Sequence, residues 1–366
     1  MTTRADSPAS ARGHDESPAL SIAIPVLNGA SLLPGLIASI LAQEFGDWEV
    51  VVGDNVSDDG TPELIAAIGD DRFRTHCWTE RVPVMENFNR TIDLARSEWV
   101  IPIGADDRLR RGALATLAAR IAESSAEHPL AMVVGASRRV DSRGQSAERA
   151  YYGSQARREV ADGRYDASAW LRVAAAPGAA PWNIGSIAFN RSAIEAAGGP
   201  FRPEIGLSSD TELVARIAIA GEVTYIDEEL LDCMVRLESD GNVRFVDNLR
   251  HADRETPVGN ALLAALDAHE SARTVGADER AAVRAAVART HLQRAGQHRL
   301  LQGGRGRRSS ARDILRAFEL SPRTVLSPRG LTFAMGAILA PRSAIAVASR
   351  QLTNRAHGPA GSHAAE

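Results

Sequence analysis

The hydrophobic pattern starts at residue 20 and switches repeatedly between two periods. LSIAIPV (20–26) is a short apolar run that predicts a buried strand. Leu32, Leu33, Leu36, Ile37, Ile40 and Leu41 then recur at helical spacing. Residues 48–52 predict a second strand, and Pro62 occupies a favoured first helical position after it. Residues 73–78 predict a weaker third strand, 85–95 a helix, and 99–103 a fourth strand. Strands alternating with helices at this spacing predict parallel β-α-β units in a sheet covered on both faces. Such sheets bind ligands outside the carboxyl ends of their strands. Polar groups collect there in this chain: Asn28 after the first strand, Asp54-Asn55 after the second, Asp106-Asp107 after the fourth.

The middle, 130–250, is less regular. It predicts a strand at 132–135, an arginine-rich stretch, a helix around Trp170, a strand at 187–189 and a helix at 210–220. From about 256 the pattern is helical alone, through 261–272, 281–301 and 312–318. Charge changes with it. Residues 280–366 hold 15 arginines against Asp313, Glu319 and Glu366, a formal +12 that leaves −16 on the remainder of a chain of net charge −4. The expected organisation is a disordered tail at 1–18, an α/β domain at 19–255, a basic helical extension at 256–356 and a disordered tail at 357–366.

Composition removes several chemistries. All 42 basic residues are arginine, so a Schiff-base lysine, a pyridoxal phosphate anchor and a Walker-type phosphate loop are excluded. Cys77 and Cys233 are far apart and near no histidine cluster, which fits neither a disulfide framework nor a zinc site. Residues 1–18 lack the apolar run of a secretory signal. The apolar segment 331–340 is half the roughly 20 residues a spanning helix needs. The expected location is cytoplasmic, with the basic tail offering peripheral contact at the inner face of the plasma membrane. The net charge predicts no nucleic-acid partner.

Four groups of residues carry possible chemistry, each with a plainer reading beside it. Asp54-Asn55-Val56-Ser57-Asp58-Asp59-Gly60-Thr61 can hydrogen-bond a nucleobase and ribose, or serve as an ordinary turn and helix cap. Gly104-Ala105-Asp106-Asp107 places adjacent carboxylates at a strand end, where a divalent cation can share them or a helix amino end can use them. Asp210, in Ser208-Ser209-Asp210-Thr211-Glu212-Leu213, is either a base or a helix cap. Trp182-Asn183 can present an aromatic face to a sugar, or pack in the core.

Taken in order, PVLNG, VVGDNVSDDGT, NFNRTIDLARSEWVIPIGADD and SDTEL resemble the family 2 glycosyltransferases of GT-A fold, over residues 20–240. That resemblance implies a GT-A nucleotide-diphospho-sugar transferase fold: a Rossmann-like, mostly parallel sheet with helices on both faces, here with a C-terminal helical extension. It implies donor binding at Pro25, Asn28, Asp54, Ser57, Asp59, Asn89 and Asp106, a metal ligand at Asp107 and a general base at Asp210. The glycine turn before the base falls on Gly198-Gly199-Pro200-Phe201, and Trp182 and Asn183 stand where an acceptor is expected. Two departures stand out. Ser209 replaces the glutamate usual before the base, and Arg236 is followed by Leu237-Glu238-Ser239 where the family often has an Arg-x-His element.

The implied reaction is inverting, metal-assisted transfer of a sugar from a nucleotide-sugar donor to a hydroxyl of a glycan or lipid-linked acceptor, with Mg²⁺ or Mn²⁺ as cofactor. A nucleotidyltransferase of related fold is the first alternative, disfavoured by the absence of lysine. A non-catalytic nucleotide-sugar or glycan-binding module is the second, disfavoured by the retention of Asp107 and Asp210. The metal-binding carboxylate is expected to be an exposed strand-end group. Residues 153–183 are expected to supply a loop that closes over the donor.

Overall fold

The computed structural model describes residues 17–147, 158–176, 180–235, 257–302 and 307–339. The sequence features at 1–16, 236–256 and 340–366, including Arg236 and both termini, lie outside the described residues, and so does the 255/256 boundary.

Three runs buried on both faces and a fourth, more exposed one become adjacent parallel strands. They are β1 (Leu20–Val26), β2 (Trp48–Asp54), β3 (Phe73–Cys77) and β4 (Trp99–Pro102), in the spatial order β3-β2-β1-β4. β8 (Ile187–Asn190) then enters antiparallel to β4, followed by β6 (Leu130–Val140) and β9 (Glu222–Met234), which pair in parallel. The two-residue β5 (Arg108–Leu109) and β7 (Gly163–Tyr165) both pair antiparallel with β9.

Successive strand residues feed opposite layers, as the pleat requires. Ile22 and Ile24 of β1 join a core with Leu36 of α1 (Leu33–Leu41), Ile65 of α2 (Thr61–Ala66) and Leu117 of α4 (Ala113–Ile121). Ala23, between them, joins a second core with Ile92 of α3 (Val84–Asp93), Trp170 of α5 (Ala167–Ala175), Ile194 of α6 (Arg191–Ala196) and Leu213 of α7 (Ser209–Arg216). α3 comes so close to β2 that a Cβ on Gly53 would stand 2.1 Å from the Thr91 hydroxyl. Only glycine permits that approach.

The carboxyl-terminal helices continue the second layer. α8 (Pro257–Ser271) and α9 (Ala277–Gln302) bury Leu262, Leu266, Val283 and Val287 against Leu171 of α5 and Ala215 of α7. His269 is fully buried, with Nε2 2.8 Å from the Ala215 carbonyl, so the extension grips the helix that carries Asp210. α10 (Arg307–Leu320), α11 (Pro322–Leu326) and α12 (Pro328–Leu339) pack on α9 through Ala317, Val325 and Ala334. No helix among the described residues is long and apolar enough to cross a membrane.

One buried acid ties the amino ends of β1 and β2 to the segment that enters β4. Glu49, only 1% exposed, accepts hydrogen bonds from Ser21 Oγ (2.7 Å), the Arg96 amide (2.7 Å), Arg96 Nε (2.8 Å) and Arg74 Nη1 (3.0 Å). Burial raises its carboxyl, but the bonds from Ser21, Arg96 and Arg74 together win and hold it below the usual range. A carboxyl depressed in the folded state stabilises above its unfolded pKa and loses that contribution as pH falls through the folded one. Glu49→Gln is therefore expected to cost about 1–3 kcal/mol at pH 7 and almost nothing in strong acid. Urea unfolding at neutral and acid pH tests this; an equal loss at both would contradict it.

Candidate active site

The loops that follow β1 and β2 are stitched together through side-chain oxygens. Val26 and Asp54, the last residues of the two strands, are register partners. The Asn28 amide donates to Ser57 Oγ (2.8 Å), the Gly29 amide to Thr61 Oγ1 (2.9 Å) and the Ala30 amide to Asp59 Oδ2 (3.0 Å). In return the Asp58 amide donates to Asn28 Oδ1 (3.0 Å). Ser57 Oγ donates to the buried Asp54 carboxylate. Thr61, first among several donors, holds the Asp59 carboxyl below its ordinary range. The two loops thus form one preorganised rim. Asn28 (φ 55°) and Val56 (φ 63°) both have left-handed backbone. Asparagine tolerates this, whereas a β-branched valine there costs about 1–3 kcal/mol, the kind of strain that gathers at functional sites.

The next strand end supplies the acids. After β4 the chain turns at Gly104, whose carbonyl accepts the Asp107 amide at 3.1 Å. A Cβ on Gly104 would lie 2.9 Å from Asp106 Oδ1 and 3.5 Å from Asp107 Oδ2, so both carboxylates reach over the same bare backbone. Asp107 is 5% exposed, which corrects the expectation of an exposed strand-end carboxylate: β5 pairs with β9 and folds Asp107 beneath the end of that strand. Its Oδ1 accepts the Met234 amide at 3.2 Å. Burial first, and Asp106 second, push the Asp107 carboxyl up to about 7, against the lowering effect of Met234, Cys233 and Arg139.

Asp210 lies in the first turn of α7 with its side chain exposed, and its Oδ1 accepts the Thr211 amide at 2.7 Å. The protein around it raises its carboxyl, while Thr211 and Arg139 lower it. Ser209, where the family usually has glutamate, is fully buried and donates to the Arg202 carbonyl at 2.8 Å. The glycine turn is tied down from within: fully buried Arg216 donates to the carbonyls of Ala197, Gly199 (3.1 Å) and Pro200 (2.8 Å) and pairs with buried Glu212 at 2.7 Å.

Two expected site residues make contacts that hold the fold together. Both polar ends of the Asn89 amide are engaged by Phe201, donating to its carbonyl (2.8 Å) and accepting its amide (3.0 Å), so Asn89 locks α3 to the glycine turn. The Trp182 ring presents no open face to a sugar. It is buried with its centroid 5.2 Å from that of Trp170 and 6.2 Å from that of Tyr225, because it fills the second core. Asn183 caps a short 3₁₀ turn by accepting the Gly185 amide at 3.1 Å, and its Nδ2 lies 3.3 Å from Cys233 Sγ. Within 153–183, described residues include β7 and α5, while 153–157 and 177–179 lie outside the described set.

Sequence reasoning missed Arg139 and Cys233. Arg139, on β6, is 5% exposed and donates to Ser137 Oγ (2.7 Å) and the Trp182 carbonyl (3.2 Å). Its positive charge lowers the carboxyls of both Asp107 and Asp210. Cys233 sits beside Asp107, and burial pushes its thiol well up. An arginine inside an otherwise apolar strand was the available signal, obscured by neighbouring Arg138, which pairs with Asp232 on the other side of the strand.

The arrangement is that of an α/β domain with its site at a switch point, between strands that run to opposite sides of β1. Residues 21–175 match the family model described as glycosyl transferase family 2. Residues 21–175 are therefore a family 2 glycosyltransferase domain, as the motifs within them implied. A Mycobacterium tuberculosis protein named PGL/p-HBAD biosynthesis glycosyltransferase is 37% identical over 123 residues, 32% of this chain and 46% of that protein. A Campylobacter jejuni protein named GalNAc(5)-diNAcBac-PP-undecaprenol beta-1,3-glucosyltransferase is 34% identical over 103 residues, 27% of this chain and 33% of its own length. Among solved structures, S. aureus TarS 1-349 in complex with UDP-GlcNAc superposes with a TM-score of 0.50 at 16% identity, covering 83% of this chain and 90% of that one. This likeness is one of fold. The chain spans at most 66% of the length of the curated relatives it was matched to.

Proposed function

We propose that the protein transfers a sugar, with inversion, from a nucleotide-diphosphate sugar to a hydroxyl of a glycan or lipid-linked acceptor. The observation that carries this reading is the convergence of Asp106 and Asp107 over Gly104, at the strand end beside the stitched 28–61 rim. The family match and the undecaprenol-linked acceptor in the name of the C. jejuni relative support it.

Among the described residues no cluster of three or more His, Cys, Asp or Glu side chains is arranged to hold a metal. Two carboxylates over bare backbone nevertheless fit a hard cation that takes its remaining oxygens from donor phosphates and water, the usual habit of Mg²⁺. Asp107 would be the principal ligand, with Asp106 beside it facing the donor. A divalent ion held there would neutralise charge on the departing diphosphate.

The chain's own groups do the rest. Pro25, Asn28, Asp54, Ser57 and Asp59 form the rim assigned to the nucleoside and its phosphates. Asp210 accepts the proton of the acceptor hydroxyl as its oxygen bonds to the anomeric carbon and the bond from that carbon to the diphosphate breaks. Its raised carboxyl makes it a stronger base than an ordinary aspartate. Arg139 keeps positive charge beside both acids. Asn89 and Arg216 fix the glycine turn that orients α7.

The test is a panel of nucleotide-sugars against the full chain, with and without Mn²⁺. One donor is expected to raise Tm and to release nucleoside diphosphate slowly, with release stopped by a chelator. If no donor stabilises the protein or is turned over, the reading fails.

A further inference from the structure

Five of the nine large hydrophobic side chains exposed among the described residues fall within the last three helices: Leu315, Phe318, Leu326, Leu331 and Met335. They are not scattered. Ala317, Val325 and Ala334 turn inward onto α9, leaving Leu315 and Phe318 one turn apart on the outside of α10, and Leu331 and Met335 one turn apart on the outside of α12. Leu315 is 60% exposed and Met335 56%. Isolated exposed apolar residues need no explanation, whereas a run of them on consecutive helices does.

The charges on these helices choose the occupant. Arg312, Arg316, Arg323 and Arg329 are all exposed among the apolar residues. The only acids in this segment are Asp313, buried and 2.9 Å from His291 Nδ1, and Glu319, paired with Arg316 at 3.0 Å. An apolar face threaded with arginines that outnumber the acids beside them complements a surface that is apolar beneath and anionic at its head groups. Docking on the protein's own acidic domain is already provided by the inner faces, through α8 and α9.

We infer that the outward face of α10–α12 docks on an anionic membrane surface, lying on it without crossing it. This stands independently of the chemistry proposed for Asp107 and Asp210. It would bring a soluble donor site to acceptors held in that surface.

The test is co-sedimentation of the full chain with vesicles of phosphatidylcholine alone and of phosphatidylcholine mixed with phosphatidylglycerol, at low and high salt. Two variants accompany it: Leu315→Ser/Leu331→Ser/Met335→Ser, and Arg312→Gln/Arg316→Gln/Arg323→Gln/Arg329→Gln. Binding is expected only to the anionic vesicles and to weaken with salt. It should fall at least about tenfold in the serine variant. In the glutamine variant it should fall more than about a hundredfold, at about fivefold per arginine. Thermal unfolding and the donor-induced Tm shift should be unchanged in both, since the altered side chains point outward and lie outside the donor site. Pelleting that is equal with neutral vesicles, or that survives both variants, overturns the inference. So does light scattering that shows a dimer lost in the serine variant without any vesicle binding, because the face would then join two copies of the chain.

Discussion

Asp210→Asn is expected to lower kcat by about 10²- to 10⁴-fold while donor affinity and Tm stay near wild type. The replacement keeps the hydrogen bonds that the side chain accepts, because an amide oxygen takes the Thr211 amide and hydroxyl as the carboxylate does. The side chain is exposed, so no packing is lost, and a surface change of this kind alters stability by about 0.5 kcal/mol or less. What disappears is the capacity to take a proton. The measurements are kcat at saturating donor and acceptor, the donor Kd, and thermal unfolding of both proteins. If Asp210 only capped α7, the pattern would be reversed: turnover almost intact, with whatever loss there is appearing in Tm.

Asp107→Asn is expected to abolish measurable transfer, a loss of at least about 10³-fold in kcat, and to leave Tm unchanged or slightly raised. The stability argument rests on burial. Asp107 is enclosed beside Asp106, and its charged form is disfavoured first by that burial and then by its neighbour. Asparagine keeps an oxygen for the Met234 amide and removes the buried charge. Asp106→Asn, at a half-buried position, should do less and show mainly in donor KM. Full turnover of Asp107→Asn in metal-depleted buffer would sink the assignment. A large fall in Tm would mean that the carboxylate serves the β5–β9 junction.

Much of the fold was readable because its signals are local. β1, β2 and β4 are buried on both faces and therefore appear as unbroken apolar runs. The loops after them carry polar residues close together in sequence. β9 was missed for an equally physical reason. Its middle, Asp227-Glu228-Glu229, looks like solvated surface, and the strand absorbs it through a register shift against β6 between Ile226 and Glu229. β5, two residues long, exists only because β9 is there to pair with it.

The site divides in the same way. Asp54, Ser57, Asp59, Asp106, Asp107 and Asp210 stand out as polar residues at strand ends and a helix start. Asn89 and Trp182 have the same sequence credentials but are used for structure. Asn89 meets Phe201 across 112 positions, and Trp182 meets Trp170 and Tyr225 in a core that no window of sequence contains.

By itself the sequence determined the β-α alternation, the polar groups at the strand ends and the basic character of the last helices, because period, turn chemistry and charge belong to contiguous residues. Only the tertiary structure decided which of those groups meet. It buried Asp107 under β9, placed Arg139 where it acts on two acids from distant segments, and turned Leu315, Leu331 and Met335 outward beside exposed arginines. Each of these outcomes depends on strand register and on which helix face finds a partner, and both are settled by the packing of the whole chain.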